Sequence, residues 1–199
     1  MNRLHQWYCR SERWKRRLES DVFPWVLDRL HLDAEILEIG PGPGLTTDWL
    51  QRHYKDITCL EVDPLLARSL RQRIANANVN VQLGDATDMP FPEAQFSAVL
   101  SFTMLHHVPS SQLQDRLFAE AYRVLKPGGV FLGVDSTWSL RMWAFHLRDT
   151  LVTVDPSKLS ARLEAANFTD VAIESKRGRF RFFARRPAGH SNSPYRSLE

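Results

Sequence analysis

Three alternate glycines, Gly40, Gly42 and Gly44, follow the apolar run 36–39 and come just before a helix-like stretch. Glycine lets the chain turn tightly and lets a ligand reach main-chain atoms with no side chain between them. The helix that follows would direct its unpaired N–H groups and the positive end of its dipole at an anion in the loop. The loop therefore predicts a site for a nucleotide or a nucleoside-linked carboxylate.

A glutamate, Glu61, ends the next predicted strand along the chain. Its separation from Gly40 is close to the ~20 residues at which a strand-end carboxylate reaches a pair of ribose hydroxyls. A surface acid at a strand end is the alternative, and the ribose role is the favoured interpretation. A dinucleotide fingerprint requires a third glycine where this sequence has Leu45, which argues against nicotinamide and flavin dinucleotides.

Alternating strand and helix patterns surround these residues. Asp63-Pro64 and Asp155-Pro156 are strong helix starts, because aspartate caps a helix and proline suits its first turn. Strands that alternate with helices of this length predict crossovers between parallel strands, and the last two strands, around Gly178, are expected to form a closing antiparallel pair. The predicted strands are 36–39, 57–62, 79–83, 96–102, 130–134, 168–174 and 180–184. The predicted helices between them are 45–54, one from Asp63, one from Ser110 to Leu125 and one from Asp155 to Asn167.

Composition favours one soluble globular domain. The chain has 199 residues, of which 43% are hydrophobic and 25% charged, and this length suits a single well-cored α/β domain. No run approaches the roughly 18 apolar residues that span a bilayer, and the first residues carry charge where a secretory signal has an apolar core, so we expect a cytoplasmic protein. Residues 1–33 are predicted to form a helical lid with a break at Pro24, and 187–199 a flexible tail.

Positive charge is concentrated near the two ends of the sequence, and the net charge of the chain is +3. Such clusters attract phosphates or lipid headgroups, but a solvated arginine face is the simpler interpretation. The basic, tryptophan-bearing amino segment is also suited to peripheral contact with an anionic membrane. Cys9 and Cys59 have no metal-ligand spacing, so neither a disulfide nor a metal site is predicted. The basic residues are Arg10, Arg13, Lys15, Arg16, Arg17, Lys176, Arg177, Arg179, Arg181, Arg185 and Arg186.

Four motifs, in order, resemble those of the class I S-adenosylmethionine-dependent methyltransferases. The resemblance covers about residues 34 to 135. Because the four motifs occur in the family's order, together they are far more specific than any one of them. It implies a single Rossmann-like, doubly wound α/β domain at residues 34–186, with a mostly parallel seven-stranded sheet and an antiparallel C-terminal strand. The motifs are Glu38 to Gly44, Leu60 to Pro64, Gly84 to Pro92 and Ser101 to Val108, with a post-helix turn at Arg123 to Gly129.

The resemblance also implies S-adenosylmethionine as the cofactor and assigns residues to its parts. Glu38, Gly40, Pro41, Gly42 and Gly44 would hold the methionine portion. Glu61 would bind the ribose and Val62 would flank the adenine. Asp85 and the Ala86 backbone would meet the adenine edge, and Ser101 and Phe102 would lie beneath the sulfonium. The family usually has an acid at Ser97 and often a glycine at Asn167, which can also adopt the left-handed cap conformation.

Methyl transfer from a sulfonium needs chiefly an aligned acceptor in a dry pocket, and alignment alone supplies roughly 7–11 kcal/mol. A general base is needed only if the acceptor must lose a proton, and His106 and His107 are the candidates. A structural or pocket-shaping role is the favoured interpretation, so no base is assigned. Trp7, Tyr8 and His106 are the candidate acceptor contacts. Aromatic residues that could wall such a pocket, or simply pack in the core, are Trp7, Tyr8, Trp138, Trp143, Phe145 and His146.

Three hypotheses follow, in order of preference. The first is a methyltransferase that acts on a small-molecule acceptor. The second is a non-catalytic protein that binds S-adenosylmethionine and acts as a partner or regulator. The third is a lipid or nucleic-acid methyltransferase. Nucleic acid ranks low because the sequence has no base-methylation motif of the Asn-Pro-Pro-Tyr kind.

Overall fold

One seven-stranded sheet organises the protein, whose structure is a computed structural model that describes residues 7–27, 35–74 and 78–188. The strands are β1 (Glu35–Ile39), β2 (Asp56–Glu61), β3 (Val79–Leu83), β4 (Phe96–Phe102), β5 (Leu125–Ser136), β6 (Thr169–Lys176) and β7 (Arg179–Arg185). Their order across the sheet is β3-β2-β1-β4-β5-β7-β6. The first five pair in parallel, and β7 runs antiparallel to both β5 and β6. The predicted fold class, with its antiparallel C-terminal strand, is confirmed.

Two hydrophobic cores cover the two faces of the sheet. Successive side chains of a strand point to opposite faces, so Ile36 packs in one core with Phe23, and Leu37 packs in the other with Phe118. Strands β1 and β4 are buried along nearly their whole length. Continuous apolar strands of this kind are typical of parallel sheets that are covered by helices on both sides.

Side-chain caps begin the main helices at the residues that the sequence indicates. The Asp63 carboxylate accepts hydrogen bonds from the N–H groups of Leu65 and Leu66, and the Ser110 hydroxyl accepts one from Leu113. Each cap satisfies donors that have no partner inside the helix. The helices are α1 (Glu12–Arg17), α2 (Phe23–Val26), α3 (Leu45–Leu50), α4 (Pro64–Arg73), α5 (Ser111–Val124), α6 (Leu140–Phe145) and α7 (Pro156–Ala165).

The amino-terminal segment is helical, but the predicted break at Pro24 is wrong. A π-helical turn, Leu18–Val22, joins α1 to α2, and Pro24 lies at the start of α2. Proline lacks an N–H and crowds the preceding turn, and a π-helical turn accommodates such a residue without ending the helix. Leu18 and Val22 are buried in the core beneath this segment. Its role as a lid stays a prediction, and residues 1–6 and 28–33 of the predicted lid lie outside the described residues.

Several element ends differ from the prediction. Helix α3 ends at Leu50 instead of reaching residue 54. Strand β5 begins at Leu125 rather than at residue 130, because the chain starts to pair with Phe96 directly after α5, with a register shift before Ala98. The predicted left-handed conformation of Asn167 is confirmed by its φ of 69°.

The predicted antiparallel pair around Gly178 is confirmed as a hairpin. Arg177 and Gly178 both have positive φ angles, 50° and 77°, as the tight turns that match the twist of paired strands require. No described helix is long and apolar enough to cross a bilayer. Positions 189–199 of the predicted tail lie outside the described residues.

Candidate functional site

The glycine loop connects β1 to α3 through three left-handed residues. The φ angles of Gly40, Gly42 and Gly44 are 64°, 56° and 86°. A Cβ at Gly44 would lie 2.3 Å from Cδ1 of Leu70, so both the conformation and the space require glycine there. The Gly44 N–H donates to the Pro41 carbonyl at 3.0 Å, which closes the loop on itself.

Glu38 lies beneath this loop and lines none of the described cavities. Its carboxylate accepts hydrogen bonds from the hydroxyls of Thr46 and Thr47 in the first turn of α3, the latter at 2.6 Å, and is 1% exposed. Burial raises the pKa of Glu38 above its ordinary value. In this structure the residue holds the helix against the end of β1, and its role as a cofactor contact stays a prediction.

Glu61 lies at the end of β2, beside the glycine loop. Its two oxygens accept hydrogen bonds from the N–H groups of Gly42 and Asp63, at 2.9 and 3.0 Å, and the side chain is 4% exposed. Burial raises its pKa, and the two N–H donors act against that rise. The strand-end carboxylate and the glycine loop are therefore one hydrogen-bonded unit, as their spacing indicates.

A cavity of about 380 Å³, here called the glycine-loop cavity, opens along this unit. Its volume lies in the range of about 300–1,000 Å³ that small-molecule sites occupy. The Asp85 side chain accepts a hydrogen bond from the Thr87 N–H at 2.8 Å, which fixes the loop after β3 at the cavity wall. The predicted cofactor residues that the structure brings together here are Gly40, Gly42, Glu61, Val62, Asp85 and Ala86.

Other predicted cofactor residues lie elsewhere. Pro41 and Phe102 line a small cavity of about 60 Å³, here called the junction cavity. Ser101 is fully buried in β4 and lines none of the described cavities, and its hydroxyl has no hydrogen-bond partner among the described residues. Gly44 caps α3 behind the loop. The end of β4 thus reaches the junction cavity through Phe102 and the adjacent Thr103, whose φ of 53° is unusual for a residue with a side chain.

A third cavity, of about 290 Å³ and here called the aromatic cavity, lies between the amino-terminal segment and the insert after β5. Tyr8 and Phe145 form its walls, with ring centroids 5.4 Å apart in an edge-to-face arrangement, and Trp14 also contacts Tyr8. Trp7, a predicted acceptor contact, is 68% exposed and lines none of the described cavities. Trp138 and Trp143 are also exposed and outside it.

The charged side chains that line the aromatic cavity are arginines, and one of them, Arg179, forms an ion pair with Asp21 at 3.8 Å. Four arginines and no acidic residue line it among the described residues: Arg17, Arg141, Arg177 and Arg179. Burial and, next, the nearby charge of Arg17 lower the pKa of Arg179 below its ordinary value. Burial also raises the pKa of the Cys9 thiol, in the same wall, to about 11, so this cysteine is no nucleophile at neutral pH.

His106 lines the aromatic cavity and His107 the glycine-loop cavity. The Nδ1–H of His106 donates to Oδ1 of Asp135 at 2.6 Å, and its backbone N–H donates to Oδ2 at 3.2 Å. Asp135 lies in β5 and is fully buried. His146 also lines the aromatic cavity, and burial lowers its pKa, which favours the neutral imidazole.

Sequence reasoning missed Asp135 and the four arginines as site residues. Asp135 directly follows the predicted apolar strand 130–134, and this place at a strand end is the signal that could have found it. Arg17, Arg177 and Arg179 belong to the two basic clusters of the sequence, whereas Arg141 lies outside them. Arg17 and Arg179 come from opposite ends of the sequence and line one cavity only because the amino-terminal segment packs beside the β6–β7 hairpin.

Comparison with known proteins identifies the family. The methyltransferase-domain family matches residues 37–133, which include the glycine loop, Glu61 and Asp85. Residues 37–133 therefore form a methyltransferase domain, in agreement with the resemblance to the class I S-adenosylmethionine-dependent methyltransferases, and S-adenosylmethionine is the cofactor of that class.

Two curated relatives align with the same region. A 2-methyl-6-phytyl-1,4-hydroquinone methyltransferase of Oryza sativa is 35% identical over 102 residues, which cover 50% of this chain and 30% of the relative. A fatty-acid O-methyltransferase of Mycolicibacterium smegmatis is 35% identical over 118 residues, which cover 57% of this chain and 42% of the relative. The chain thus matches less than half of the length of either relative.

A solved structure extends the likeness to nearly the whole chain. A complex between the Haloferax volcanii Trm112 methyltransferase activator and a methyltransferase superposes with a TM-score of 0.71 at 14% identity, covering 94% of this chain and 99% of that chain. At this identity the likeness shows the fold alone.

Proposed function

We propose that this protein is a methyltransferase that acts on a small-molecule acceptor by in-line transfer from S-adenosylmethionine. The continuity of the three cavities carries the proposal. The junction cavity shares Gly40 and His107 with the glycine-loop cavity, and it shares Cys9 and Thr103 with the aromatic cavity. A cofactor on one side and an acceptor on the other would therefore meet end to end at the junction, as in-line transfer requires.

The residues around the glycine-loop cavity fit the cofactor. The Glu61 carboxylate suits a pair of hydroxyl donors, and the open backbone of Gly40 and Gly42 suits close approach by a ligand. Asp85 would accept a hydrogen bond from an amino group at the far end of the cavity. Glu38 and Gly44 would support the loop rather than touch the ligand. When bound, S-adenosylmethionine supplies a methyl group on a positively charged sulfur.

The aromatic cavity favours an acceptor with an apolar body and an anionic group. Tyr8, Trp14 and Phe145 provide apolar surface, and Arg141 and Arg177 provide exposed cationic groups. The two relatives act on a phytyl hydroquinone and on fatty acids, and only the apolar character of those acceptors is extended to this chain. A cytoplasmic location, the absence of a nucleic-acid partner and peripheral membrane contact stay predictions.

The protein itself contributes shape, charge and orientation. Trp14 and Phe102 give the junction cavity an apolar lining, and electrostatic interactions are stronger in such surroundings than in water. His106 is oriented by Asp135 and lines the acceptor side, whereas His107 lines the cofactor side. This geometry makes His106 the better placed of the two to accept a proton from an acceptor.

Calorimetry with S-adenosylmethionine and with its demethylated product tests the cofactor site. Glu61→Ala should weaken binding by roughly 10- to 100-fold, because it removes a buried charged acceptor. Glu164→Ala, which removes a glutamate of α7 outside the described cavities, should bind like the unchanged protein. Absence of binding at millimolar ligand would refute the proposal.

A screen of metabolite extracts with methyl-labelled cofactor then tests the reaction. We expect the label in a small acidic or amphipathic molecule, and weaker labelling of that molecule by the Phe145→Ala variant. Tight cofactor binding without any labelled product, together with a stable complex with another protein, would favour the non-catalytic hypothesis instead. A product whose formation falls steeply with salt would favour a polyanionic acceptor.

A further inference from the structure

We propose that His106, His107 and His146 form a binding site for a divalent transition-metal ion, with zinc as the best match, at the junction of the two large cavities. One ring nitrogen of each histidine lies within 4.8 Å of those of the other two. His106 and His107 follow β4, and His146 follows α6, so the three come together only in the folded chain. The proposal departs from the sequence-based expectation of no metal site.

The spacing of the three rings suits one ion with a small adjustment. Their centroids lie 4.3, 5.0 and 5.2 Å apart. A point equidistant from three nitrogens 4.8 Å apart lies about 2.8 Å from each, whereas a Zn–N bond measures about 2.1 Å. Side-chain rotations that move each nitrogen by less than about 1 Å would close the difference.

The outer partners of two of the histidines orient them as metal ligands. Nδ1–H of His106 donates to the Asp135 carboxylate at 2.6 Å, and Nδ1–H of His146 donates to the Met142 carbonyl at 2.8 Å. Metal-binding histidines almost always donate the second ring N–H to a carboxylate or a backbone carbonyl, which fixes the tautomer. Because Nδ1 carries the proton in both rings, Nε2 keeps the lone pair that a metal ion needs.

The buried Nε2 of His106 is unfavourable in the folded protein unless something binds to it. His106 is 2% exposed, and its Nε2 has no hydrogen-bond partner among the described residues. A buried acceptor without a partner carries the free-energy cost of losing its contact with water. Asp135 is itself held by the N–H groups of His106 and Ser136, the latter at 2.6 Å, so the ring cannot turn to find another donor without breaking this unit. A metal ion would satisfy the lone pair, and His106 would then act as a ligand instead of as a base.

The ligand set indicates the kind of ion. Three imidazoles suit zinc and its first-row neighbours better than magnesium or calcium, which prefer oxygen. Three protein ligands would leave a fourth tetrahedral position open, as in zinc sites that bind water or substrate. Since His106 and His146 line the aromatic cavity, that position would face the acceptor side. Coordination of an acceptor oxygen there rests on the proposed function, whereas the metal site itself does not.

Metal titration of the full chain, free of any polyhistidine tag and stripped with a chelator, tests the site. We expect one equivalent of Zn²⁺ by calorimetry and by elemental analysis after dialysis. One equivalent of Co²⁺ should give the intense visible absorption of a tetrahedral complex. His107→Ala and His146→Ala should each weaken Zn²⁺ binding by more than about 100-fold. His53→Ala is the matched control, because His53 is an exposed histidine that stacks on Trp49 away from the cluster, and it should leave binding unchanged.

Asp135→Asn tests the positioning role of the carboxylate. One equivalent of Zn²⁺ should still bind, but about 10- to 100-fold more weakly, because the ring loses its charged acceptor. Circular dichroism checks that each variant is folded. If a change at the buried His106–Asp135 pair prevents folding, His107→Ala and His146→Ala still test the site. Failure to take up one equivalent of Zn²⁺ or Co²⁺, or uptake that survives His146→Ala, would overturn the proposal. Cofactor binding, measured on the same samples, separates this result from a failure of the proposed function.

Discussion

The glycine-loop cavity and the aromatic cavity adjoin each other but are built in different ways. The first is lined mainly by the ends of consecutive strands within residues 40–87 and by backbone in left-handed conformations. The second is lined by side chains from segments that are far apart in sequence, at residues 8–17, 103–106, 136–146 and 177–179. One cavity depends on local backbone geometry, and the other depends on how distant segments pack.

This difference has a functional consequence. A site made largely of backbone and of residues at strand ends leaves little room for substitution, because each φ angle and each strand end must be kept. A site made of side chains on peripheral helices and a hairpin can change its shape and charge without disturbing the sheet. The cofactor side is therefore expected to be rigid, and the acceptor side to set specificity.

The largest effect that this comparison predicts is on the glycine loop. Gly44→Ala should lower the free energy of unfolding by about 3 kcal/mol, because it combines a left-handed alanine with an overlap against Leu70. Gly128→Ala is the matched control: its φ of 81° is similar, but no described heavy atom lies within 4 Å of the added Cβ, so a loss of about 1 kcal/mol is expected. Urea denaturation measures both. Equal losses would show that the overlap is relieved at no cost.

A substitution in the wall of the aromatic cavity should affect acceptor binding without affecting cofactor binding. Phe145→Ala should raise the KM for the acceptor about tenfold, because an aromatic contact worth roughly 1–2 kcal/mol is removed. Its effect on cofactor affinity should be negligible, since Phe145 lines only the aromatic cavity among those described. Trp143→Ala, which removes an exposed aromatic residue of the same helix, should change neither value. Initial rates measure the KM and calorimetry measures the cofactor affinity. A tenfold loss of cofactor affinity in Phe145→Ala would contradict the separation of the two cavities.

A smaller effect is expected for the positive charge of the same cavity. Arg141→Gln should raise the KM for an anionic acceptor about threefold, since exposed ion pairs contribute little. The effect should shrink as salt is added, because screening weakens such contacts. Arg148→Gln, at an exposed arginine that lines none of the described cavities, is the control. An unchanged KM for Arg141→Gln, or an equal rise for Arg148→Gln, would mean that the acceptor does not use the cavity charge.

The smallest predicted effect is a pH dependence on the cofactor side. Burial places the pKa of Glu61 above its ordinary value of 4.5, and the ionised form is the one that accepts ligand hydroxyls. Cofactor affinity should therefore be full above that raised pKa and fall as the pH drops through it, at a higher pH than an ordinary glutamate would give. Calorimetry across this range should show a flat profile for Glu61→Gln. An equally steep profile in that variant would assign the titration to another group.

Local signals in the sequence were sufficient to predict the sheet, its helices and most of the cofactor side. Strand periodicity, helix caps such as Asp63 and the glycine spacing each depend on residues that are near one another in the chain. The glycine loop and Glu61 were indicated by their spacing, and Asp85 by the family resemblance, and all of them line one cavity because parallel strands bring their carboxyl ends to one edge.

Packing of the whole chain selects which of the remaining candidates reach a cavity. Alternation along β1 points Glu38 into the layer of α3, and Ser101 is buried in β4, so neither lines a described cavity, although both belong to the same motifs as residues that do. Their contacts with the cofactor stay predictions. Trp7 and Tyr8 are neighbours in sequence, but only Tyr8 faces inward. His146 and Asp135 lie against His106, and Arg17 lines the same cavity as Arg179, although these residues are distant in sequence. No local pattern encodes such a pairing, because it exists only once the distant segments have come together.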